Sequence, residues 1–145
     1  MTDTTNKIEI LLVEDNPGDV VLTMTALKDI KILNNISVAI DGEEALAMLN
    51  HESGYEDIPV PDFILLDLNL PKVSGQEVLE NIKNDDSLKR IPVCVLTTSS
   101  SENDIYKAYG AHANCYITKP VDFHQFKEVV TQLENFWFSL VKLPN

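Results

Sequence analysis

Two patterns of apolar and polar positions alternate along the chain: short, uninterrupted apolar runs, and longer segments with apolar residues at helical spacing. Uninterrupted runs are typical of strands buried on both faces, and apolar residues three and four positions apart are typical of helices that bury one side. Five strands, each followed by a helix, predict a parallel sheet covered by helices on both faces. The predicted strands lie in KIEILLVED, NISVAI, DFILLD, IPVCVLTT and ANCYITKP, and the helices in NPGDVVLTMTALKDI, DGEEALAMLNH, SGQEVLENIKN, SENDIYKAYG and DFHQFKEVVTQLENFWFSLVK.

Polar side chains end four of the predicted strands, and these positions are the candidate functional residues. In an open parallel sheet of this kind, ligands bind outside the carboxyl ends of the strands. A single polar residue there is typical of a chain leaving the core, but the coincidence on four strands indicates a shared site. The strand ends carry Glu14 and Asp15, then Asp67, then Thr97 and Thr98, and finally Thr118 and Lys119.

The acidic members of this set indicate a metal ion. Three carboxylates at one edge of a sheet repel one another, and one lysine does not neutralise them. Mg²⁺ prefers one or two carboxylates, waters and a phosphate oxygen, so the group predicts a magnesium site that receives phosphate. The sequence has no G-x-x-x-x-G-K-[ST] loop, which argues against a nucleotide-binding P-loop. A carboxylate can itself form an aspartyl phosphate, and Asp67 is placed for that role, with Lys119 and the Thr97 hydroxyl holding the phosphoryl oxygens.

Four stretches of the chain, LLVEDNPGD, FILLDLNLPKVSG, VCVLTTSS and CYITKP, resemble in this order the receiver domain of two-component response regulators. The resemblance extends from about Ile8 to Leu140, and the spacings of 30 residues from Asp67 to Thr97 and 22 from Thr97 to Lys119 make it specific. It implies a flavodoxin-like fold, which is a doubly wound (βα)5 three-layer sandwich with the parallel sheet in strand order 2-1-3-4-5.

The same resemblance implies how the acidic residues act. Asp67 would be the phosphoacceptor, taking a phosphoryl group in a Mg²⁺-dependent reaction from a phosphohistidine of a sensor histidine kinase or a phosphotransfer protein. Asp15, Asp67 and the backbone carbonyl of Asn69 would bind Mg²⁺. Glu14 would orient a metal-bound water.

The resemblance further implies a switch that reports phosphorylation. Thr97 and Lys119 would contact the phosphoryl group, as the chemistry of the strand ends also suggests. Tyr116 matches the aromatic residue that turns inward when the threonine moves toward the phosphate. The surface formed by the fourth helix, the fifth strand and the fifth helix (the α4-β5-α5 face) would then change.

The chain is predicted to hold one signalling domain. Residues 1–7 are predicted as a disordered lead-in, and residues 8–145 as a single receiver domain with an extended C-terminal helix and no output domain. The output would therefore pass through a protein surface to an unknown downstream protein, or the chain would only relay phosphate. Phe136 and Phe138 fall at or beyond the margin of the core stripe of the last helix, which favours a homodimer through the α4-β5-α5 face; packing at the end of the chain is the alternative.

The segment 50–62 and the C-terminal tail depart from the common receiver pattern. The segment, NHESGYEDIPVPD, is long and acidic, and Pro59 and Pro61 predict that it is extended and stiff. Together with the tail FWFSLVKLP it resembles the single-domain regulators of bacterial and cyanobacterial phytochromes. The sensor kinase would then be of the phytochrome type.

Composition narrows the partners and the compartment. The chain has 145 residues and a net charge of −12, so nucleic acid and anionic membranes are poor partners; solubility alone is another explanation of the charge. It has no apolar run long enough to cross a membrane and no signal peptide. Cys94 and Cys115 are predicted as buried thiols in a reducing cytoplasm.

Two other functions fit the sequence less well than that of a receiver. Phosphatases and phosphotransferases that use an aspartyl phosphate have the loop D-x-D-x-[TV], but here Asn69 stands in place of the second aspartate. A receiver-like interaction module that never takes phosphate usually lacks one of the acids, the hydroxyl or the lysine, and this chain has them all. We therefore expect a signalling protein and not an enzyme.

Overall fold

The computed structural model describes residues 8–28, 34–68, 70, 72–97 and 115–118. The predicted helices at 101–110 and 122–142 lie outside these residues, as does the whole segment 98–114 between the fourth and fifth strands. The strands are β1 (Ile8–Val13), β2 (Asn34–Ala39), β3 (Phe63–Asp67), β4 (Val93–Thr97) and β5 (Cys115–Thr118), and the helices are α1 (Pro17–Lys28), α2 (Gly42–Leu49) and α3 (Gly75–Lys83).

The five strands form one parallel sheet in the order β2-β1-β3-β4-β5, which confirms the predicted order. β1 and β3 are neighbours, and Val13 lies opposite Leu66. Asp67 lies opposite Leu96 on β4. Because all strands run in the same direction, the residues that follow β1 and β3 meet at one edge of the sheet.

The sheet has a buried core on each face, which explains why its central strands read as continuous apolar runs. Along β1 the side chains alternate between the two cores, with Leu11 and Val13 on one face and Ile10 and Leu12 on the other. The first face packs against α2 and α3, and the second carries Leu27 of α1. Fully burying a leucine or valine stabilises the fold by about 1.5–3 kcal/mol, so both faces contribute.

The helices that flank the site begin at polar caps. Asp41 caps α2 by accepting the Glu44 N–H at 2.7 Å. Ser74 caps α3 through a capping box, in which its hydroxyl accepts the Glu77 N–H and the Glu77 carboxylate accepts the Ser74 N–H. Each cap satisfies helix N–H groups that lack an intrahelical acceptor.

The segment 50–62 is folded into turns, and the prediction that it is extended and stiff is wrong for its first part. The Tyr55 N–H donates to the Glu52 carbonyl at 2.7 Å, and the backbone turns back at His51 and Gly54 with φ of 54° and 95°. Tyr55 and Ile58 pack against the core beside α2. These turns lie before Pro59 and Pro61, and the burial of the two apolar groups accounts for them.

Cys94 in β4 is fully buried and disulfide-bonded, so the prediction of two reduced thiols is wrong here. Cys115, the other cysteine in the sequence, is the Cα partner of Cys94 in the parallel β4–β5 pair. Paired strands lie about 4.8 Å apart, which is within the Cα separation that a disulfide spans. The sequence placed the two cysteines on strands, but only the register brings them side by side.

Among the helices that the structure describes, none combines the length and the apolar character needed to span a bilayer.

Candidate functional site

Three carboxylates predicted from the strand ends meet at the carboxyl edge of the sheet. Glu14, Asp15 and Asp67 each place one oxygen atom within 4.8 Å of the others. Glu14 and Asp67 are buried, with 1% and 3% of their surface exposed, and Asp15 is exposed. The register of β1 against β3 brings them together, since Val13 and Leu66 are partners.

The chemistry of these donors fits a hard divalent cation. Burying carboxylates beside one another costs free energy through lost hydration and mutual repulsion, and a cation offsets both. An octahedral Mg²⁺ binds oxygen at about 2.0–2.1 Å, so opposite ligand atoms stand about 4 Å apart. Small side-chain movements would bring the oxygens of Asp15 and Asp67 to one ion, with the Glu14 carboxylate close enough to hold a water bound to that ion. The exposed position of Asp15 leaves a path for the ion to enter.

The β1–α1 turn fixes the direction of Glu14. Its N–H donates to the Ala39 carbonyl on β2 at 2.9 Å, so the backbone continues the sheet for one more residue. Its carboxylate accepts the Asn16 N–H at 3.3 Å. Asn16 in turn accepts the Asp19 N–H at 3.0 Å, and α1 begins between them at Pro17. The side chain of Glu14 is thereby held inside the site.

Asp67 is held by the start of α3. The next residue, Leu68, still donates to the Leu96 carbonyl on β4 at 2.9 Å. Gly75 then returns to this point, and its N–H donates to the Leu68 carbonyl at 3.2 Å. A β-carbon on Gly75 would collide with the backbone oxygen of Asp67, so the loop closes only with glycine at this position.

Several predicted site residues fall partly or wholly outside the described residues. Thr97 ends β4 opposite Thr118 of β5, and Tyr116 lies within β5 opposite Val95. Only their backbones are described, so the predicted switch is not tested. Asn69, with its predicted carbonyl ligand, and Lys119 also lie outside the described part of the chain.

One charged group beside this edge was missed by the sequence reasoning. Lys72 lies in the loop that follows Asp67, and its Nζ is 3.5 Å from Asp41 Oδ2 and 3.5 Å from Glu43 Oε1. The pKa of Lys72 is raised above its ordinary value by the carboxylates of Asp41 and Glu43. The letters DGEE and LPKVSG contain these charges, but their pairing depends on the packing of α2 against the loop.

The segment 50–62 reaches the same end of α2. The Tyr55 hydroxyl donates to Glu44 Oε2 at 3.0 Å, while Glu44 Oε1 accepts the Ile40 N–H at 2.8 Å. The hydrogen bond to the Glu44 carboxylate, together with burial, raises the pKa of Tyr55. This segment is therefore anchored close to the site by a polar contact as well as by its apolar packing.

Comparison with known proteins agrees with this architecture. The family model for the response regulator receiver domain matches residues 10–131. The response regulator Rcp1 of Synechocystis sp. is 45% identical over 145 residues, covering 99% of each chain. The crystal structure of the phosphorylated cyanobacterial phytochrome response regulator RcpA superposes with a TM-score of 0.86 and 47% identity, covering 96% of this chain and 99% of that one.

A second solved structure, the Mn(2+)-bound form of the response regulator Rcp1, superposes with a TM-score of 0.85 and 45% identity, covering 95% of this chain and 99% of that one. The family match and these relatives confirm the flavodoxin-like fold and the resemblance noted from the sequence motifs. They also confirm the similarity to the regulators of phytochromes. The chain therefore belongs to the family of response regulator receiver domains.

Proposed function

We propose that this chain is a single-domain response regulator that accepts a phosphoryl group on Asp67 from a sensor histidine kinase. The observation that carries the proposal is the meeting of Glu14, Asp15 and Asp67, with one oxygen of each within 4.8 Å of the others. A divalent cation bound there would be Mg²⁺, whose preference for oxygen ligands matches the site. The Mn(2+)-bound structure of the relative Rcp1 supports a divalent metal in the family.

The proposed reaction transfers the phosphoryl group between two side chains. A carboxylate oxygen of Asp67 attacks the phosphorus of a phosphohistidine; the new O–P bond forms as the N–P bond breaks and the imidazole leaves with the electron pair. The metal would neutralise charge on the transferred group. Lys119 and the Thr97 hydroxyl would hold its other oxygens, as the family resemblance implies. Glu14 would orient a metal-bound water.

The partner in this proposal is a phytochrome-type sensor kinase. Support comes from the relative RcpA, which is named as a cyanobacterial phytochrome response regulator and is similar over nearly its whole length. We further propose that the protein signals as a regulator, without turning over a separate substrate. Its output would be a change of the α4-β5-α5 face through Thr97 and Tyr116, read by a downstream protein or by a second copy in a homodimer.

Intact-mass spectrometry after incubation with acetyl phosphate tests the central step. The wild-type protein should gain the mass of one HPO₃ group in the presence of Mg²⁺ and none in the presence of a chelator. The variant Asp67→Asn should gain nothing. The matched control Asp62→Asn removes an aspartate at the opposite end of β3, where it accepts the Glu9 N–H, and should be phosphorylated normally. A mass gain that persists in Asp67→Asn would remove this residue from its role.

A further inference from the structure

The loop that joins β3 to α3, residues 68–74, rests against the start of α2. Lys72 of this loop lies between two carboxylates of α2, with its Nζ 3.5 Å from Asp41 Oδ2 and 3.5 Å from Glu43 Oε1. The Asp41 side chain is only 13% exposed, whereas those of Lys72 and Glu43 are largely exposed. The better-buried pair, Lys72 with Asp41, therefore contributes more than the outer one.

Backbone packing at this contact leaves little freedom. A β-carbon on Gly42, the first residue of α2, would collide with the carbonyl of Val73. The loop backbone and the start of the helix thus touch directly. Lys72 itself has a φ of 62°, in the left-handed region that few lysines occupy. Such a conformation persists when surrounding contacts hold it, and the two ion pairs are contacts of this kind.

The same loop shapes the site. It starts directly after Asp67 and closes with the hydrogen bond from the Gly75 N–H to the Leu68 carbonyl at 3.2 Å. A shift of the loop away from α2 would therefore disturb the backbone that follows Asp67.

We propose that Lys72 is a positioning residue, which holds the loop 68–74 against the start of α2 through Asp41 and Glu43. The loop in turn keeps Asp67, directly before it, in place at the cation site. The effect of the loop on cation binding rests on the proposed function, whereas the contact of Lys72 with the start of α2 does not.

A purely electrostatic role for Lys72 makes the opposite prediction for metal binding. Removing a cation close to an acidic site makes the site more negative, so Lys72→Asn would bind a divalent cation more tightly. Removing an anion, in Asp41→Asn, would weaken binding. A positioning role instead predicts that both variants weaken binding, because each breaks the same pair.

Two asparagine variants isolate the ion pair. Asparagine favours the left-handed conformation at position 72 more than lysine does, and it still serves as a helix N-cap at position 41, so neither substitution opposes the local backbone conformation. The matched control is Lys89→Asn. Lys89 is an exposed lysine paired with Asp86 at 3.1 Å, in the turn before β4 and hence at the opposite edge of the sheet.

Amide hydrogen exchange measured by NMR tests the loop directly and needs no metal. The Gly75 amide should exchange about two- to fivefold faster in Lys72→Asn and in Asp41→Asn, relative to the slowest core amides. It should be unchanged in Lys89→Asn. The double variant Asp41→Asn with Lys72→Asn should be no faster than the faster single variant. Unchanged exchange in both single variants, or additive effects in the double variant, would overturn the proposal.

Titration with Mn²⁺ alone, followed by the electron paramagnetic resonance of the free ion, tests the consequence for the site. Both single variants should bind Mn²⁺ about two- to fivefold more weakly than the wild type. Tighter Mn²⁺ binding by Lys72→Asn together with weaker binding by Asp41→Asn would show that Lys72 acts on the site through its charge alone, and would overturn the positioning role. A third outcome is that neither the wild type nor any variant binds Mn²⁺, while hydrogen exchange at Gly75 responds as expected. In that case the proposed function fails and the role of Lys72 in the loop stands.

Discussion

Gly75 lies so close to Asp67 that a β-carbon at position 75 would occupy the space of the Asp67 backbone oxygen. The first residue of α3 and the last residue of β3 therefore fix each other's position. The loop 68–74 between them is short because this contact closes it. Any change at this point moves the residue on which phosphorylation is proposed.

The variant Gly75→Ala tests this contact. An added methyl group must displace backbone, which a flexible side chain cannot absorb, so the free energy of unfolding should fall by about 1–3 kcal/mol. Urea unfolding measures the loss. The control Gly18→Ala, in the first turn of α1, meets only the side-chain oxygen of Asn16 at 3.2 Å and should change stability by less than about 1 kcal/mol. Equal effects of the two variants would contradict the importance of the Asp67–Gly75 contact.

Asp15 should matter for metal binding and little for folding, because its side chain is exposed. In wild-type protein, Mg²⁺ at ten times its dissociation constant should raise the free energy of unfolding by about 1.4 kcal/mol. In Asp15→Asn the metal-free stability should not fall, because the substitution removes one of three charges that repel one another, and most of the Mg²⁺-dependent gain should be lost. Urea unfolding with and without Mg²⁺ measures both quantities. The control Asp57→Asn, in the segment 50–62, removes one negative charge elsewhere. An undiminished Mg²⁺ effect in Asp15→Asn would show that Asp15 is not part of the metal site.

Tyr55 should give the protein a pH-dependent contribution to stability. Its hydroxyl donates to Glu44, and this bond raises its pKa above the ordinary value of 10.0. A group whose pKa is raised on folding stabilises the fold below its unfolded pKa and loses that contribution as the pH rises through the folded one. Tyr55→Phe should therefore be less stable than wild type at pH 8, by a margin that disappears at higher pH. The urea midpoints of the two proteins, measured from pH 8 upward, test this expectation. A stability difference that grows with pH would contradict it.

The disulfide at Cys94 should stabilise the fold under oxidising conditions. A disulfide typically stabilises a fold by about 2–4 kcal/mol, so dithiothreitol should lower the free energy of unfolding of wild-type protein by that order. Cys94→Ser should be insensitive to dithiothreitol. Wild-type stability that does not respond to the reductant would show that the bond does not form in solution.

The proposed homodimer can be measured by light scattering. With beryllofluoride as a phosphate mimic, and Mg²⁺, the protein at micromolar concentration should have the mass of two chains. Phe138→Ser should shift it toward one chain, since an aromatic residue outside the core stripe of a helix favours an interface. The mass of one chain for wild type, with and without the mimic, would exclude this mode of output.

Much of the architecture could be predicted from periodicity alone. The runs LLV, ILL and VCVL are uninterrupted because β1, β3 and β4 are buried on both faces, and this pattern predicted the parallel sheet, whereas the order of its strands came from the family resemblance. The acidic site followed from the same pattern, because parallel strands bring their carboxyl ends to one edge. The turns in segment 50–62 were not predicted, since they depend on Tyr55 and Ile58 finding the core beside α2.

What the amino-acid sequence determined by itself is therefore the five strands, the first three helices and the carboxylates Glu14, Asp15 and Asp67 at the strand ends. These depend on local periodicity and on the direction of the strands, which are properties of short segments. Only the tertiary structure decided that Lys72 pairs with Asp41, and that Cys94 of β4 lies opposite Cys115 of β5 in the sheet. Such contacts join residues far apart in the chain, and their existence depends on how closely two packed elements approach.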